Sequence, residues 1–380
     1  MHPSTRCVHA GSEPEKTTGA IFPPIFQVST FVQHAPGEHQ GFDYSRARNP
    51  TRDALETALA SLEGAQHALA FASGLAAEQA IIQIFPPACK VLVCDDVYGG
   101  TGRLFRTLYA KYGFEFCFLD MSDLALVEQE ATPNTALIWI ETPTNPTLKI
   151  IDIAAVAAIA KKVSARLVVD NTFASPLFQQ PLALGADIVV HSTTKYIGGH
   201  SDLIGGAVMT SNSALFEQLQ YIQFAAGAVP APFECFLLLR SIKTLAIRMQ
   251  QHEKNARQVV NFLCNHPQVE QVFFPGLESH PNYAIARKQM TGFSGMVSFK
   301  LQGEYEQVKI FLSRLRIIQL AESLGGIESL INHPERMTHA SVPAALRQKL
   351  GIGPTLLRLS VGIEEAADLI EDLRQALDGK

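Results

Sequence analysis

Six short, almost wholly apolar runs constrain this chain more than any other feature. They are ALAFA (68–72), KVLVC (90–94), EFCFL (115–119), LIWIE (137–141), RLVVD (166–170) and DIVVH (187–191). Each is too short for a helix, and most are followed by a segment with helical periodicity. Strands that are apolar on both faces and separated by helices belong in a parallel sheet covered on both sides. The sequence therefore predicts an α/β fold. Between LIWIE and RLVVD a helix is expected from Ile153 to about Lys162. Asp152 is its N-cap, and Lys161 and Lys162 lie in the last turn, where the helix dipole favours cations. An earlier helix is expected from about Thr51, read as its N-cap, to Gly64, with Ala54, Leu55, Ala58, Leu59 and Leu62 on one face.

The pattern changes along the chain. Residues 1–50 are rich in Pro, Gly and His and poorly periodic, so they read as an extended arm that packs on something, either its own body or a neighbouring subunit. Residues 51–240 carry the apolar runs. After about 240 the grammar differs. RSIKTLAIRMQQHEKNARQVVNFLCN (240–265) reads as one long helix, MVSFKL (296–301) and LLRLSV (356–361) as strands, and 364–377 as a closing helix. Residues 241–380 are thus expected to form a second, smaller α/β domain.

Composition removes whole classes of function. The chain has 380 residues, 47% of them hydrophobic and 18% charged, with a net charge of −5. Disordered chains are poorer in apolar residues and richer in charge. No basic footprint for nucleic acid is present, and no 18-residue apolar run could span a bilayer. Six cysteines (7, 89, 94, 117, 235 and 264) are scattered and form no C-x-x-C pair, so neither a disulfide framework nor a zinc ribbon is expected. The first residues lack the apolar core of a secretory signal. A reduced, cytoplasmic enzyme is the expectation. His333 and His339 are six apart, the wrong spacing for a metal pair on one helix, and read as surface or structural side chains; no metal site is expected. G-x-G-x-x-G, G-x-x-x-x-G-K-[ST] and G-x-S-x-G are all absent, which counts against a nicotinamide dehydrogenase, a P-loop enzyme and a serine hydrolase.

Ligands bind outside the carboxyl ends of parallel strands. There the sequence offers Ser73-Gly74-Leu75 opening a helix, Asp95-Asp96-Val97-Tyr98, Thr142 to Asn145, Asp170-Asn171-Thr172, and Ser192-Thr193-Thr194-Lys195. Singly, each has a bland reading as a cap, a turn or a solvated charge. Together they put a lysine, an aspartate and an anion-binding loop in one crevice. That combination suits pyridoxal phosphate. The lysine bonds the aldehyde, the carboxylate keeps the pyridine nitrogen protonated so that the ring is an electron sink, and hydroxyls with a helix N-terminus hold the phosphate.

The stretch DIVVHSTTKYIGGHS (187–201) resembles, position for position, the cofactor-attachment signature of the Cys/Met-metabolism family of pyridoxal-phosphate enzymes. GFDYSRARNPTR, AFASGLAA, DDVYGGT, WIETPTNPT, VVDNTF, AESLGGIESL and LLRLSVGIE also resemble family blocks, in family order, over essentially the whole chain. The resemblance implies fold type I, the aspartate-aminotransferase type, with a mainly parallel seven-stranded sheet. It implies a homotetramer built of two dimers. It also implies roles. Lys195 is the Schiff-base lysine and proton shuttle, Asp170 the pyridinium partner, and Tyr98 the ring-stacking phenol. Ser73, Gly74, Leu75, Ser192 and Thr194 form the phosphate cup, joined by Tyr44 and Arg46 from the neighbouring subunit. Arg358 clamps the substrate carboxylate, with Asn145 and Ser323 beside it, and Glu322 and Arg103 meet the far end of the substrate. Arg48 reads as a solvated loop charge. Within the family the blocks look most like cystathionine γ-lyases, which implies α,γ-elimination of cystathionine with some β-elimination. β-Lyase and γ-synthase chemistry stay open, as does a homologue that binds the cofactor without catalysis. Gly100, where methionine γ-lyases carry Cys, weakens that assignment.

Overall fold

The computed structural model describes residues 1–340 and 342–379. Two sheets organise it. The large sheet contains β1 (His67–Phe71), β2 (Lys90–Cys94), β3 (Glu115–Leu119), β4 (Thr135–Glu141), β5 (Arg166–Asp170), β6 (Ile188–Ser192) and β7 (Gly206–Thr210), in the order β1-β7-β6-β5-β4-β2-β3. The ladder from β3 through β2, β4 and β5 to β6 is parallel; β7 runs antiparallel to both β6 and β1. All six expected runs are strands of this sheet, within one or two residues. The seventh strand, GAVMT, is not announced by the sequence because it opens on the second glycine of Gly205-Gly206, which reads as a turn.

The small sheet contains β8 (Val269–Phe273), β9 (Met296–Leu301), β10 (Gln319–Leu320), β11 (Leu330–Asn332) and β12 (Leu356–Ser360). Its order is β10-β11-β12-β9-β8, and only the β10–β11 pair is parallel. Two strands were expected here and five are present. β8 reads VEQVF and leaves its polar residues in solvent, so no apolar run announces it.

Buried side chains form two apolar layers about the large sheet and a third around the small one. Trp139, Val168 and Leu92 lie in the first, all fully buried. The helix Leu245–Cys264 joins two layers: Leu245 and Met249 pack with the large sheet's second layer, and Val259, Val260 and Leu263 with the small sheet's core.

Two local expectations are corrected. The helix Pro50–Glu63 is capped by Asn49, not Thr51. The Asn49 side chain accepts from the Thr51 amide at 2.9 Å, and Pro50 fills the first helical position, where no amide hydrogen is needed. The long helix expected over 240–265 is two, Pro232–Ile242 and Leu245–Cys264. The Thr244 amide donates to Ser241 O at 3.2 Å, closing a tight turn, and Arg248 donates to the same carbonyl at 3.0 Å. The Ser241 carbonyl thus accepts from a side chain as well as from the turn, which ties the break to the second helix. Asp152 caps Ile153–Lys162 as expected, accepting from the Ala155 amide at 3.0 Å. Residues 1–50 hold a short helix, Pro3–His9, whose Cys7 is buried, followed by irregular backbone.

Candidate active site

A cavity of about 1390 Å³ lies at the carboxyl ends of the parallel strands, where the small sheet meets the large one. Thirteen of the fifteen expected residues line it: Ser73, Gly74, Leu75, Tyr98, Arg103, Asn145, Asp170, Ser192, Thr194, Lys195, Glu322, Ser323 and Arg358.

One end is built for an anion. Ser73 leaves β1 and caps the helix Gly74–Gln83, its hydroxyl accepting from the Ala76 amide at 3.1 Å. The amides of Gly74 and Leu75, at the first two helical positions, have no acceptor within the helix. Gly74 packs so closely on β6 that a Cβ there would lie 3.1 Å from Ser192 Cβ. The missing side chain leaves the amides and the Ser192 hydroxyl facing one small space. Thr194 lines the same space, but its hydroxyl is exchanged with the backbone of Gly205, at 3.0 and 3.2 Å.

The floor is acidic and buried. Asp170 ends β5 beside Glu141, its register partner on β4. The Thr172 amide donates to Asp170 Oδ1 at 2.9 Å. Burial raises the Asp170 carboxyl above the usual range. Glu78, from the helix after β1, is also buried in the lining, and its Oε2 has no partner. Buried carboxylates need a cation or a donor.

The opposite wall comes from the small sheet. Arg358, on β12, is buried; it donates to Asn145 Oδ1 at 2.8 Å and to the Ser323 carbonyl at 3.0 Å. Its Nε is buried without a partner. Burial lowers its guanidinium to about 10, so it stays charged at neutral pH. Ser323 has a φ of 80°, a left-handed conformation that costs a non-glycine residue energy and is held by its surroundings. That turn aims the Ser323 hydroxyl at Lys195 Nζ, which donates to it at 2.8 Å. Burial first, and the Arg358 charge second, push the Lys195 amine down to about 8, with Glu322 pulling the other way. A lysine so placed gives up its proton far more readily than a solvated one.

Tyr98 lines the cavity at the start of the short helix Gly99–Arg103, its amide donating to Glu141 Oε2 at 2.8 Å. Burial, then the neighbouring Glu78, raise its hydroxyl, which therefore keeps its proton.

Tyr44 and Arg46 do not line the cavity. Both are exposed on the arm; Arg46 lies 4.7 Å over the Phe224 ring and donates to the Phe224 carbonyl at 3.0 Å. Arg48 is the solvated charge expected, paired with Asp53 at 2.6 Å. His333 and His339 are structural but not on the surface. Both are buried, against the carbonyls of Pro354 at 2.9 Å and Asn145 at 3.1 Å. Among the described residues no cluster of His, Cys, Asp or Glu could hold a metal ion. Glu78 and Glu141 are the buried acids of the lining that the sequence did not single out. A single acid inside the apolar helix LAAEQAIIQ, and another closing LIWIE, were the available signals.

These residues fit pyridoxal phosphate. The phosphate suits the amides of Gly74 and Leu75 and the space left by the missing Cβ. A protonated pyridine nitrogen would supply the cation that the buried Asp170 lacks.

Comparison with known proteins agrees. The family model described as Cys/Met metabolism PLP-dependent enzyme matches residues 4–378. A cystathionine β-lyase of Coxiella burnetii is 52% identical over 99% of this chain and 98% of its own length. A cystathionine γ-lyase of Dictyostelium discoideum is 52% identical over 98% of this chain and 97% of its own. The crystal structure of a cystathionine γ-lyase from Lactobacillus plantarum, complexed with L-serine, superimposes with a TM-score of 0.96 at 45% identity, covering 100% of this chain and 99% of that one. The chain belongs to the family of pyridoxal-phosphate-dependent enzymes of cysteine and methionine metabolism.

Proposed function

We propose that this enzyme is a cystathionine γ-lyase, which breaks the Cγ–S bond of L-cystathionine to give cysteine, 2-oxobutyrate and ammonia. The observation that carries this reading, as to the substrate, is Glu322 standing next to Ser323 in the cavity wall. A carboxylate lines the cavity one residue from the group that touches both Lys195 and Arg358. Cystathionine carries an amino acid at each end. Arg358 takes the carboxylate of the reacting end through its planar fork. Glu322 suits the ammonium of the far end, and Arg103 its carboxylate.

Bound pyridoxal phosphate supplies the electron sink that lets the α C–H bond ionise. The protein does the rest. Asp170 holds the ring nitrogen in its protonated form. Lys195, with its lowered basicity, would accept the α-proton, hand it on to the bound cofactor and so return to a free amine, and then take the proton from Cβ that γ-elimination requires. Tyr98 keeps its hydroxyl protonated and donates to the departing sulfur. The Ser323 hydroxyl steers the Lys195 amine between these positions.

The 52% identity to the Coxiella β-lyase favours a second reading. There the substrate lies reversed, with its cysteinyl end on Arg358, and yields homocysteine, pyruvate and ammonia. Product analysis separates the two. Holoenzyme is incubated with L-cystathionine alone and the 2-oxo acid is identified by mass. Predominant 2-oxobutyrate supports γ-elimination; predominant pyruvate makes this a β-lyase. Little of either points to γ-replacement, tested next with cysteine and an O-acyl homoserine.

We also infer that residues 1–50 act in an assembly. Tyr44 and Arg46 do not line their own cavity, and Ile21, Ile25, Phe26, Val28 and Val32 leave a run of exposed apolar side chains along the arm, the mark of an interaction surface. In this reading Tyr44 and Arg46 complete the phosphate site of a neighbouring copy in a homotetramer. The PLP-binding unit is residues 51–240 and the smaller unit 241–380. Six free cysteines fit a reducing compartment, which we take to be the cytoplasm.

A further inference from the structure

The Tyr98 ring has no regular element to hold it. It starts a helix of only five residues, Gly99–Arg103, and that helix runs on into a π-helical turn, Leu104–Leu108. The ring folds back over its own segment: a Cβ at Gly100 would lie 2.3 Å from Tyr98 Cε1. Something outside the segment must fix it. Two buried carboxyls do so from the floor. Glu141 Oε2 accepts from the Tyr98 amide at 2.8 Å, and Glu78 Oε1 accepts from the Thr101 hydroxyl at 3.0 Å. Thr101 is fully buried.

We propose that Glu78 and Glu141 are positioning residues that pin the Tyr98–Thr101 segment at both ends and so hold the Tyr98 ring over the cofactor ring. The proposal rests on Tyr98 standing over the cofactor, not on which bond of the substrate is broken.

The charge state follows from the same geometry. Glu78, Glu141 and Asp170 line one desolvated floor, and like charges so placed cannot all ionise. Asp170 is slightly less buried than the other two and accepts from the Thr172 amide. Glu78 and Glu141 have one donor each, and burial drives both well above the usual carboxyl range. Burial therefore disfavours charge on the two glutamates, and each serves the segment as a hydrogen-bond acceptor. An amide oxygen should therefore replace each of them.

The test uses holoenzyme and reads the cofactor itself. The induced circular dichroism of the bound cofactor reports ring orientation, and its dissociation constant reports the fit. Glu141→Ala should shrink the induced signal and weaken cofactor binding by about ten-fold, the effect of losing one hydrogen bond in a buried site. Glu78→Ala and Thr101→Val should act in the same direction and resemble each other. Glu141→Gln and Glu78→Gln should restore the signal and most of the affinity. Tyr98→Ala serves as the reference, because it removes the ring being positioned. If Tyr98→Ala leaves the induced signal intact, the placement of Tyr98 is wrong. If Tyr98→Ala abolishes it while Glu141→Ala and Glu78→Ala do not change it, the clamp is wrong. If the Gln variants are as impaired as the Ala variants, the glutamates act by charge and the proposal is overturned. The thermal midpoint of each apo-protein, measured alongside, identifies any variant that has lost its fold; for such a variant the Gln form is read against wild type.

Discussion

The floor of the cavity and its substrate wall are made in different ways. The floor groups, Asp170, Ser192 and the Ser73 cap, stand at the ends of strands within one mainly parallel sheet. Short local turns place them, and regular topology brings them together. The wall depends on distant parts of the chain meeting. Arg358 reaches Asn145 across 213 positions, and Lys195 reaches Ser323 across 128. Ser323 holds a left-handed backbone to do it. A floor of this kind needs only a sheet. The wall needs the two sheets docked in one relation, so the groups that meet the substrate are those most exposed to small shifts between them.

The comparison can be broken at several points. Lys195 serves both sides, so Lys195→Ala should have the largest effect. We expect kcat to fall by about 10³-fold or more, the scale of a lost acid–base group. Near-normal turnover by that variant would remove Lys195 from the mechanism. Glu322→Gln acts on the wall alone. It should raise KM for cystathionine by about ten-fold, with little change for cysteine, which lacks a distal ammonium. An equal effect on both substrates would mean that Glu322 only shapes its turn.

The pH dependence of the apo-protein sharpens the contrast. Lys195 is lowered to about 8, so it is cationic below that pH and a free amine above it. Capture of the cofactor aldehyde should therefore speed up as pH rises to about 8 and then level off. Arg358→Met removes a neighbouring cation and should move this inflection upward. An inflection near 10.5, the ordinary lysine value, would contradict the account. The smallest effect is expected outside both walls. Asn49→Ala deletes the cap that accepts from Thr51 and donates to the Phe26 carbonyl at 2.9 Å, tying the arm to the helix. It should cost about 1 kcal/mol of stability in denaturant unfolding. A change in cofactor affinity would mean that the arm bears on its own site.

Legibility in the sequence followed the same division. The parallel strands were visible because burial on both faces makes them uniformly apolar. Asp170, Ser192 and Lys195 were then found simply by reading past each strand end. β8 was not visible, because two adjacent exposed polar residues, Glu270 and Gln271, interrupt the apolar run of VEQVF and break the alternation expected of a strand. The break at Thr244 was hidden because its compensating group, Arg248, lies a turn further on and reads as an ordinary helical residue. Arg358, Ser323 and Glu322 came from family resemblance, since nothing local to β12 says that an arginine there points into a cavity. Glu78 and Glu141 went unseen for the opposite reason. Each sits inside an element that was read correctly, as one polar letter in an apolar run.

The division between floor and wall is tested most directly by crossing two variants with two readouts. Asp170→Asn and Arg358→Ala are each measured for cofactor dissociation and for KM with cystathionine. Asp170→Asn should weaken cofactor binding, because the ring nitrogen loses its charged partner. Arg358→Ala should raise KM by about 100-fold, the scale of a lost charged bidentate contact, while cofactor affinity stays near wild type. If Arg358→Ala loosens the cofactor as much as Asp170→Asn does, the two walls are one structure and the account fails.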